Sequence, residues 1–228
     1  YAQEFSSRVL VEEFVDGFHI DVNGFFINNC FYEGGQFQRY FSPLPKRYPI
    51  SVYQPPNINY EKQQEIYSIL SKSGRALDIK HGPIKADFIV TNNGPYLIEI
   101  TPRFHGEIST SFLSPNVYGT NCIEQWFDWL NNKKIPDKEI YKNSKKICGW
   151  AAIYPDTVGV FKKIKGLEDI KIDDKIIEVI IRRETGWIIE NINDTNSALG
   201  YIFAKGDSHE KVSNSLKLAL RKLNIIMN

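Results

Sequence analysis

The chain has 228 residues, 42% hydrophobic and 13% aromatic, enough apolar surface for one large core or two small ones. Lys plus Arg number 28 against 27 for Asp plus Glu, a balance that gives no support to a nucleic-acid or anionic-membrane partner. No apolar run reaches the length of a bilayer span, and the opening "YAQEFSSRVLVEEFV" lacks the basic, apolar and small-residue succession of a signal peptide. Cys30, Cys122 and Cys148 are odd in number and lack metal-binding spacing, which fits buried thiols in a reducing, cytoplasmic compartment. The chain opens almost directly on a strand pattern, which suggests a piece of something longer.

Residues 8–15 and 18–28 are rich in β-branched and aromatic residues, with turn signals at Asp16-Gly17 and Asn23-Gly24, and sheet is expected to continue through about Tyr40. "SPLPKRYPISVYQPP" then reads as a surface loop, because each proline lacks an amide donor. From Asn59 to Leu77 the apolar spacing becomes helical, with Asn59 as N-cap. A hairpin within residues 81–107 follows, then a polar loop. Ile123, Trp126, Phe127 and Leu130 next recur at helical spacing over about 120–131. "NNKKIPDKEIYKNSKK" reads as a linker that divides the chain into residues 1–145 and 146–228. Beyond it come short strand runs at about 147–154, 158–163, 175–181, 187–190 and 199–205, and a last helix near 208–224. The mixture predicts an α+β fold with largely antiparallel sheet.

The hairpin carries the chemistry. In "KADFIVTNNGPYLIEIT" the acids Asp87 and Glu99 interrupt two apolar arms. A two-residue turn at Asn93-Gly94 would set Phe88 opposite Glu99 and leave the acids on different faces. A three-residue loop at Asn92-Asn93-Gly94 sets Asp87 opposite Glu99 and collects Ala86, Phe88, Val90, Tyr96, Ile98 and Ile100 on one apolar face. That cleaner division selects the three-residue loop. Opposed like charges destabilise a sheet unless something neutralises them, and a divalent cation would do so. A solvated outer face bearing two acids and Lys85 is the competing reading. Arg103 and Gly106, just past the second strand, favour the cation, since a guanidinium there could reach oxyanions held by the metal and glycine permits close backbone approach.

These residues resemble the ATP-grasp superfamily of carboxylate–amine ligases, particularly its amino-acid-ligase and carbamoyl-phosphate-synthase-like branches. The family pattern is similar to G-P-x-H-x-E, a G-P-Y turn, and E-I-N-P-R followed by glycine. This chain reads Gly82-Pro83-Ile84-Lys85-Ala86-Asp87, then Gly94-Pro95-Tyr96, then Glu99-Ile100-Thr101-Pro102-Arg103 with Gly106. The resemblance implies an ATP-grasp fold with a small β-rich C-terminal subdomain, and Mg²⁺ or Mn²⁺ on Asp87 and Glu99. Thr101 stands at the position of a metal-binding Asn, where a hydroxyl is the weaker ligand. Arg103 would hold the transferring phosphate and the acyl-phosphate intermediate, and Gly106 would border the substrate. "VLVEEFVDGFHIDVNG" is similar to the family's hinge, implying Glu12, Glu13, Phe14 and Val15 near adenine, His19 near ribose, and Ile89 packed on the base. From the residues alone, His19 fits a satisfied sheet-surface histidine, Glu12 and Glu13 an exposed strand edge, and Lys85 a solvated side chain.

The family's glycine-rich phosphate loop and phosphate-binding lysines lie upstream of the hinge and are not in this sequence. The expectation is therefore the C-terminal part of a ligase that joins a carboxylate to an amine with ATP, ADP-forming, working with an upstream half in the same or a separate chain. A homodimer is an arrangement open to it. The alternative is a non-catalytic nucleotide-binding or assembly subunit of a split or degenerate enzyme.

Overall fold

The structure of the protein is a computed structural model that describes residues 7–44, 46–106, 108–142, 144, 146–192 and 194–228. The first six residues of the amino-terminal stretch, and Lys145 at the expected domain boundary, lie outside the described residues.

An eight-stranded antiparallel sheet organises the chain, in the order β5-β4-β1-β2-β3-β6-β10-β8. Its strands are β1 (Phe18–Ile27), β2 (Cys30–Phe41), β3 (Pro49–Gln54), β4 (Gly82–Thr91), β5 (Gly94–Thr101), β6 (Ile147–Ile153), β8 (Ile176–Ile181) and β10 (Gly200–Gly206). A separate three-stranded sheet combines β7 (Gly159–Lys165), β9 (Ile188–Ile189) and β11 (Asn224–Met227). β6 pairs with β3, so the large sheet runs continuously across the segment read as a linker.

Helix α1 (Tyr60–Ala76) forms where the apolar spacing places it, and its Asn59 cap accepts from the Lys62 amide at 2.9 Å. Ile66 and Leu70 of α1 pack on Ile20, Val22, Ile84 and Phe88, one face of strands β1 and β4. That burial is fed by the period-two alternation of the strands, which throws His19, Asp21 and Asn23 onto the opposite face. Downstream, Val212, Leu216 and Ala219 of α5 (His209–Lys222) cover β6 and β10. Between them in the chain lie α2 (Ser114–Tyr118), α3 (Cys122–Asn132) and the short α4 (Leu167–Ile170).

Four expectations need correction. Residues 8–15 form no strand; Val9, Leu10, Val11 and Phe14 are exposed, so the segment buries too little to join the sheet. The proline-rich stretch is not all loop: Pro49–Gln54 is a central strand between β2 and β6. Pro49 is tolerated because it occupies the strand's first position, and the other prolines flank the strand. The polar loop after the hairpin contains a π-helical turn at Ser109–Leu113 that runs into α2, with Ser109, Thr110, Leu113 and Ser114 buried. Of the cysteines only Cys122 and Cys148 are buried; Cys30 is exposed.

Candidate active site

The β4–β5 hairpin pairs Asp87 with Glu99, as the argument from apolar pattern required, but by a different route. Thr91 pairs with Gly94, so the turn is Asn92-Asn93, and Gly94 takes φ +126, a left-handed conformation that glycine adopts without steric cost. A register shift between Asp87 and Phe88 then leaves Ile98 as the extra residue of a bulge and restores the acid pair. The bulge swaps faces on the turn side of β5. Leu97 packs with the core, whereas Tyr96 and Ile98, expected inside, are 45% and 50% exposed. They join Ile89 on the face opposite α1.

That face borders an open cleft of about 460 Å³. Glu12, Glu13, Phe14, Val15, His19 and Ile89 all line it, so the residues picked from two segments seventy positions apart converge on one concavity. Tyr96, Ile98 and Arg47 complete the wall. Arg47 carried no sequence signal; its guanidinium sits over the rings of Phe14 and Phe41 at 5.6 and 5.2 Å, a cation held at the rim by aromatic faces.

From His19 the site continues along the sheet into a line of charges. His19 Nε2 lies 3.2 Å from Asp21 Oδ1 and 3.8 Å from Asp87 Oδ2. Lys85, expected in solvent, is buried, and its ammonium bridges Asp87 Oδ1 at 2.8 Å and Glu99 Oε1 at 2.9 Å. Desolvation works against its charge, but the hydrogen bonds to Asp87 and Glu99 outweigh that and raise its pKa. The same Lys85 contact, helped by nearby Arg103, pulls Glu99 below the usual carboxylate range. The repulsion that called for a cation is therefore met in part by the protein's own lysine.

Sequence reasoning missed Asp21, which pairs across β1 and β4 with Asp87. It is 1% exposed, with Arg39 Nη2 at 2.6 Å and His105 Nε2 at 3.4 Å. Burial alone would raise its pKa; hydrogen bonding to His105 and His19 and the charge of Arg39 more than reverse this and hold the carboxyl well below its usual range. Its only sequence signal was an acid at the middle of an apolar strand, two residues from His19.

Arg103 is exposed, with Nη1 donating to the Phe104 carbonyl at 3.0 Å, and a Cβ built on Gly106 would lie 3.6 Å from that nitrogen. The segment is pinned from beneath: the His105 amide donates to Asn23 Oδ1 at 2.8 Å, and Asn23 Nδ2 donates to Thr110 Oγ1 at 2.9 Å. Thr101 pairs with Lys85 and lies beside Glu99, its hydroxyl 3.5 Å from Oε1.

This donor set suits a hard cation. Mg²⁺ takes only one or two protein carboxylates at short oxygen distances, and Lys85 occupies one oxygen of each acid, leaving Asp87 Oδ2 and Glu99 Oε2. His19, Asp21 and Asp87 also bring ligand atoms within 4.8 Å of one another, but Arg39 already compensates the buried Asp21.

Residues 1–111 match the model of the ATP-grasp domain, and residues 151–228 match the model described as L-amino acid ligase C-terminal domain 2. The chain has the ATP-grasp fold. Its fold is that of an L-amino acid ligase from Bacillus licheniformis, with TM-score 0.81 at 20% identity over 94% of this chain and 55% of that one. A phosphoribosylglycinamide synthetase from Anaerococcus prevotii superposes with TM-score 0.76 at 19% identity, over 95% of this chain and 55% of that one. A biotin carboxylase–β-γ-ATP complex from Campylobacter jejuni gives TM-score 0.68 at 17% identity, over 95% of this chain and 48% of that one. The chain thus spans about half the length of these ATP-grasp structures. No curated protein sequence matches it.

Proposed function

We propose that this chain binds Mg·ATP in the cleft beside His19, and that the protein it serves is an ADP-forming carboxylate–amine ligase. The observation behind the reading is the convergence of Glu12–Val15, His19 and Ile89 on one concavity that continues into the opposed pair Asp87 and Glu99. Ile89, Tyr96 and Ile98 offer an apolar wall for adenine, Glu12 and Glu13 lie beside it, and His19 stands toward the sugar. Asp87 and Glu99 hold the Mg²⁺ (or Mn²⁺) ion, which supplies charge neutralisation to the phosphates. Thr101 assists weakly.

In the reaction a carboxylate oxygen attacks the γ-phosphorus and the bond to ADP breaks. An amine nitrogen then forms the C–N bond as phosphate leaves with its electron pair, and the ammonium gives up a proton. Arg103 stabilises the charge that develops on the transferred phosphoryl group and the acyl phosphate, the kind of electrostatic contribution that dominates phosphoryl transfer. Gly106 leaves room beside it for substrate. Phosphate-binding groups of the other half of the ATP clamp would come from an upstream segment or partner chain. Free cysteines among the described residues accord with a reducing cytoplasm. A second reading, a non-catalytic nucleotide-binding subunit, is favoured by one observation: Lys85 already bridges both acids.

Calorimetry separates the two. The ligase reading expects Mg·ATP to bind more tightly than ATP with chelator, and Asp87→Ala and Glu99→Ala each to weaken the Mg-dependent part. Equal ATP affinity with and without Mg²⁺, unchanged in both variants, refutes the metal assignment and leaves the second reading.

A further inference from the structure

Strand β8 ends the large sheet and pairs with β10 alone, so among the described residues no strand covers its outer edge. Every residue of β8 except Glu178 is isoleucine or valine, and none is proline or lysine. A free edge of that composition is a template for pairing with another chain unless something guards it. The opposite edge, β5, is guarded by Pro95 and by the bulge at Ile98. On β8 the one irregularity lies at Ile177, and from Glu178 to Ile181 the ladder with β10 is regular.

That ladder fixes which backbone groups face outward. The Arg182 amide donates to the Leu199 carbonyl at 2.7 Å, so Glu178, Ile180 and Arg182 bond inward, and the residues between them, Val179 and Ile181, turn their amides and carbonyls outward. The Val179 amide agrees: its acceptor is Glu178 Oε1, at 2.8 Å, and not a carbonyl of β10. Glu178 thus caps one amide of the open edge. Further along the same face Arg182 Nη1 lies 3.4 Å from the Tyr201 hydroxyl. Among the described residues neither Glu178 nor Arg182 has an ion-pair partner.

A second copy could add to this edge about a two-fold axis only where outward-facing residues meet outward-facing residues, which leaves registers centred on Glu178, Val179 or Ile180. Centring on Glu178 sets the two acids against each other. Centring on Val179 leaves Glu178 and Arg182 each opposite an isoleucine. Centring on Ile180 sets Glu178 opposite Arg182 on both sides of the axis. We propose that β8 is the docking edge for a second copy of this chain, paired antiparallel about Ile180, with Glu178 of each chain meeting the partner's Arg182. On docking, the Val179 amide passes from Glu178 to the carbonyl of the partner's Ile181, and the freed carboxylate takes the guanidinium. The edge is therefore closed in the single chain and self-complementary in the pair. Pairing there needs no nucleotide, and it leaves open the cleft beside β4 and β5, at the other end of the sheet.

The test is sedimentation equilibrium of the parent, Glu178→Arg, Arg182→Glu and the double variant, with circular dichroism to show that each is folded. A contact along one strand edge is small, so the parent should form a weak, reversible dimer. Each single variant turns both attractive contacts across the axis into repulsive ones and should raise the dimer Kd roughly ten-fold or more. The double variant restores opposite charges and should return to within about three-fold of the parent. A mixture of the two single variants should also dimerise as the parent does, because every contact across the axis then joins an arginine of one chain to a glutamate of the other. Ile181→Pro removes an outward amide and no bond to β10, so it should weaken association without touching charge. A parent that stays monomeric up to about 1 mM overturns the proposal. So does a dimer that none of these variants weakens, or a mixture of the single variants that associates no better than either alone.

Discussion

Lys85→Met tests the relation between the lysine and the metal directly. The substitution keeps the length of the side chain and removes the ammonium that lies 2.8 and 2.9 Å from Asp87 and Glu99. Directly opposed strand residues have Cβ atoms about 5 Å apart, and two unit charges at about that distance repel by ~3 kcal/mol at an effective dielectric of about 20. The Glu99 side chain is 54% exposed, so solvent screening brings the cost down to ~1–2 kcal/mol. For a chain of this length that is a fall in Tm of roughly 2–8 °C in chelator.

The same ~1–2 kcal/mol should reappear as affinity. In the parent, a cation shares two acids already bridged by an ammonium; in Lys85→Met it meets them uncompensated. Mg²⁺ should therefore bind the variant roughly 5–30-fold more tightly. At a free concentration near 100 times its Kd it should return ~2.7 kcal/mol of stability, enough to bring the variant back to the parent's Tm or above it. The assay is differential scanning fluorimetry across a Mg²⁺ series, with calorimetry for the Kd. If Mg²⁺ shifts both proteins equally, or neither, lysine and metal do not share these carboxylates and the metal assignment fails with that result.

The bulge in β5 makes two neighbouring positions behave oppositely. Ile98→Asp should change stability by no more than about 0.5 kcal/mol, since the side chain is half exposed, yet weaken ATP binding; Leu97→Ala should cost roughly 1–3 kcal/mol in urea unfolding because Leu97 packs on the core. A reversed pattern would restore the simple three-residue register. Asp21→Asn should destabilise by about 3–5 kcal/mol at pH 7, because the buried carboxylate that Arg39 and His105 contact loses its charge. The Asp21 pKa is depressed on folding, so its stabilisation is complete above the ordinary aspartate pKa of about 3.9 and lost as pH falls through the lower folded value. The gap between parent and variant should accordingly narrow between about pH 4 and pH 2 in urea titrations; a constant gap denies the ion pair its role. Gly17→Ala puts a Cβ 2.5 Å from the Val90 carbonyl oxygen and 2.8 Å from Ile89, so ADP affinity should drop as the 8–17 segment is pushed off β4; unchanged affinity would remove that segment from the cleft.

Most of the architecture was legible because period and length agree with burial. The helical spacing of 59–77 and 120–131 needed no tertiary information, and neither did the strand runs after 147. Failures fell where tertiary contacts decide. Residues 8–15 carry strand composition but find no pairing partner among the described residues, and Pro49–Gln54 carries proline's warning but sits where a first-position proline costs no ladder bond. Asp87 opposite Glu99 was reached by choosing the wrong loop: the two-residue Asn92-Asn93 turn and a later bulge together give the same local register as a three-residue turn. Apolar pattern could see the net offset but not where it was inserted. The Lys85 bridge was invisible for another reason, since a lysine on a polar face reads as solvated until the walls around it are known.

Three carboxylates on one sheet face have three environments, and burial sorts their roles. Asp21 is 1% exposed and bound to Arg39 and His105, Asp87 is 17% exposed and shares Lys85, and Glu99 is 54% exposed. The Asp21 carboxylate is too buried to leave its partners without stranding its own charge, so its contribution is to fix geometry: through Arg39 it ties β1 to β2 and, through His105, to the segment that carries Arg103 and Gly106. Glu99 can trade a lysine for a cation at little desolvation cost, because water already reaches it. Asp87 lies between, in contact with both regimes through His19 and Lys85. On the proposed reading this gradient divides the labour, with charges that would move with the ligand at the mouth and charges that stay put beneath, so that Arg103, Asp87 and Glu99 would be oriented before the ligand arrives. Inverting the gradient, with the exchangeable acid buried and the fixed pair exposed, would give neither a rigid frame nor an accessible ion.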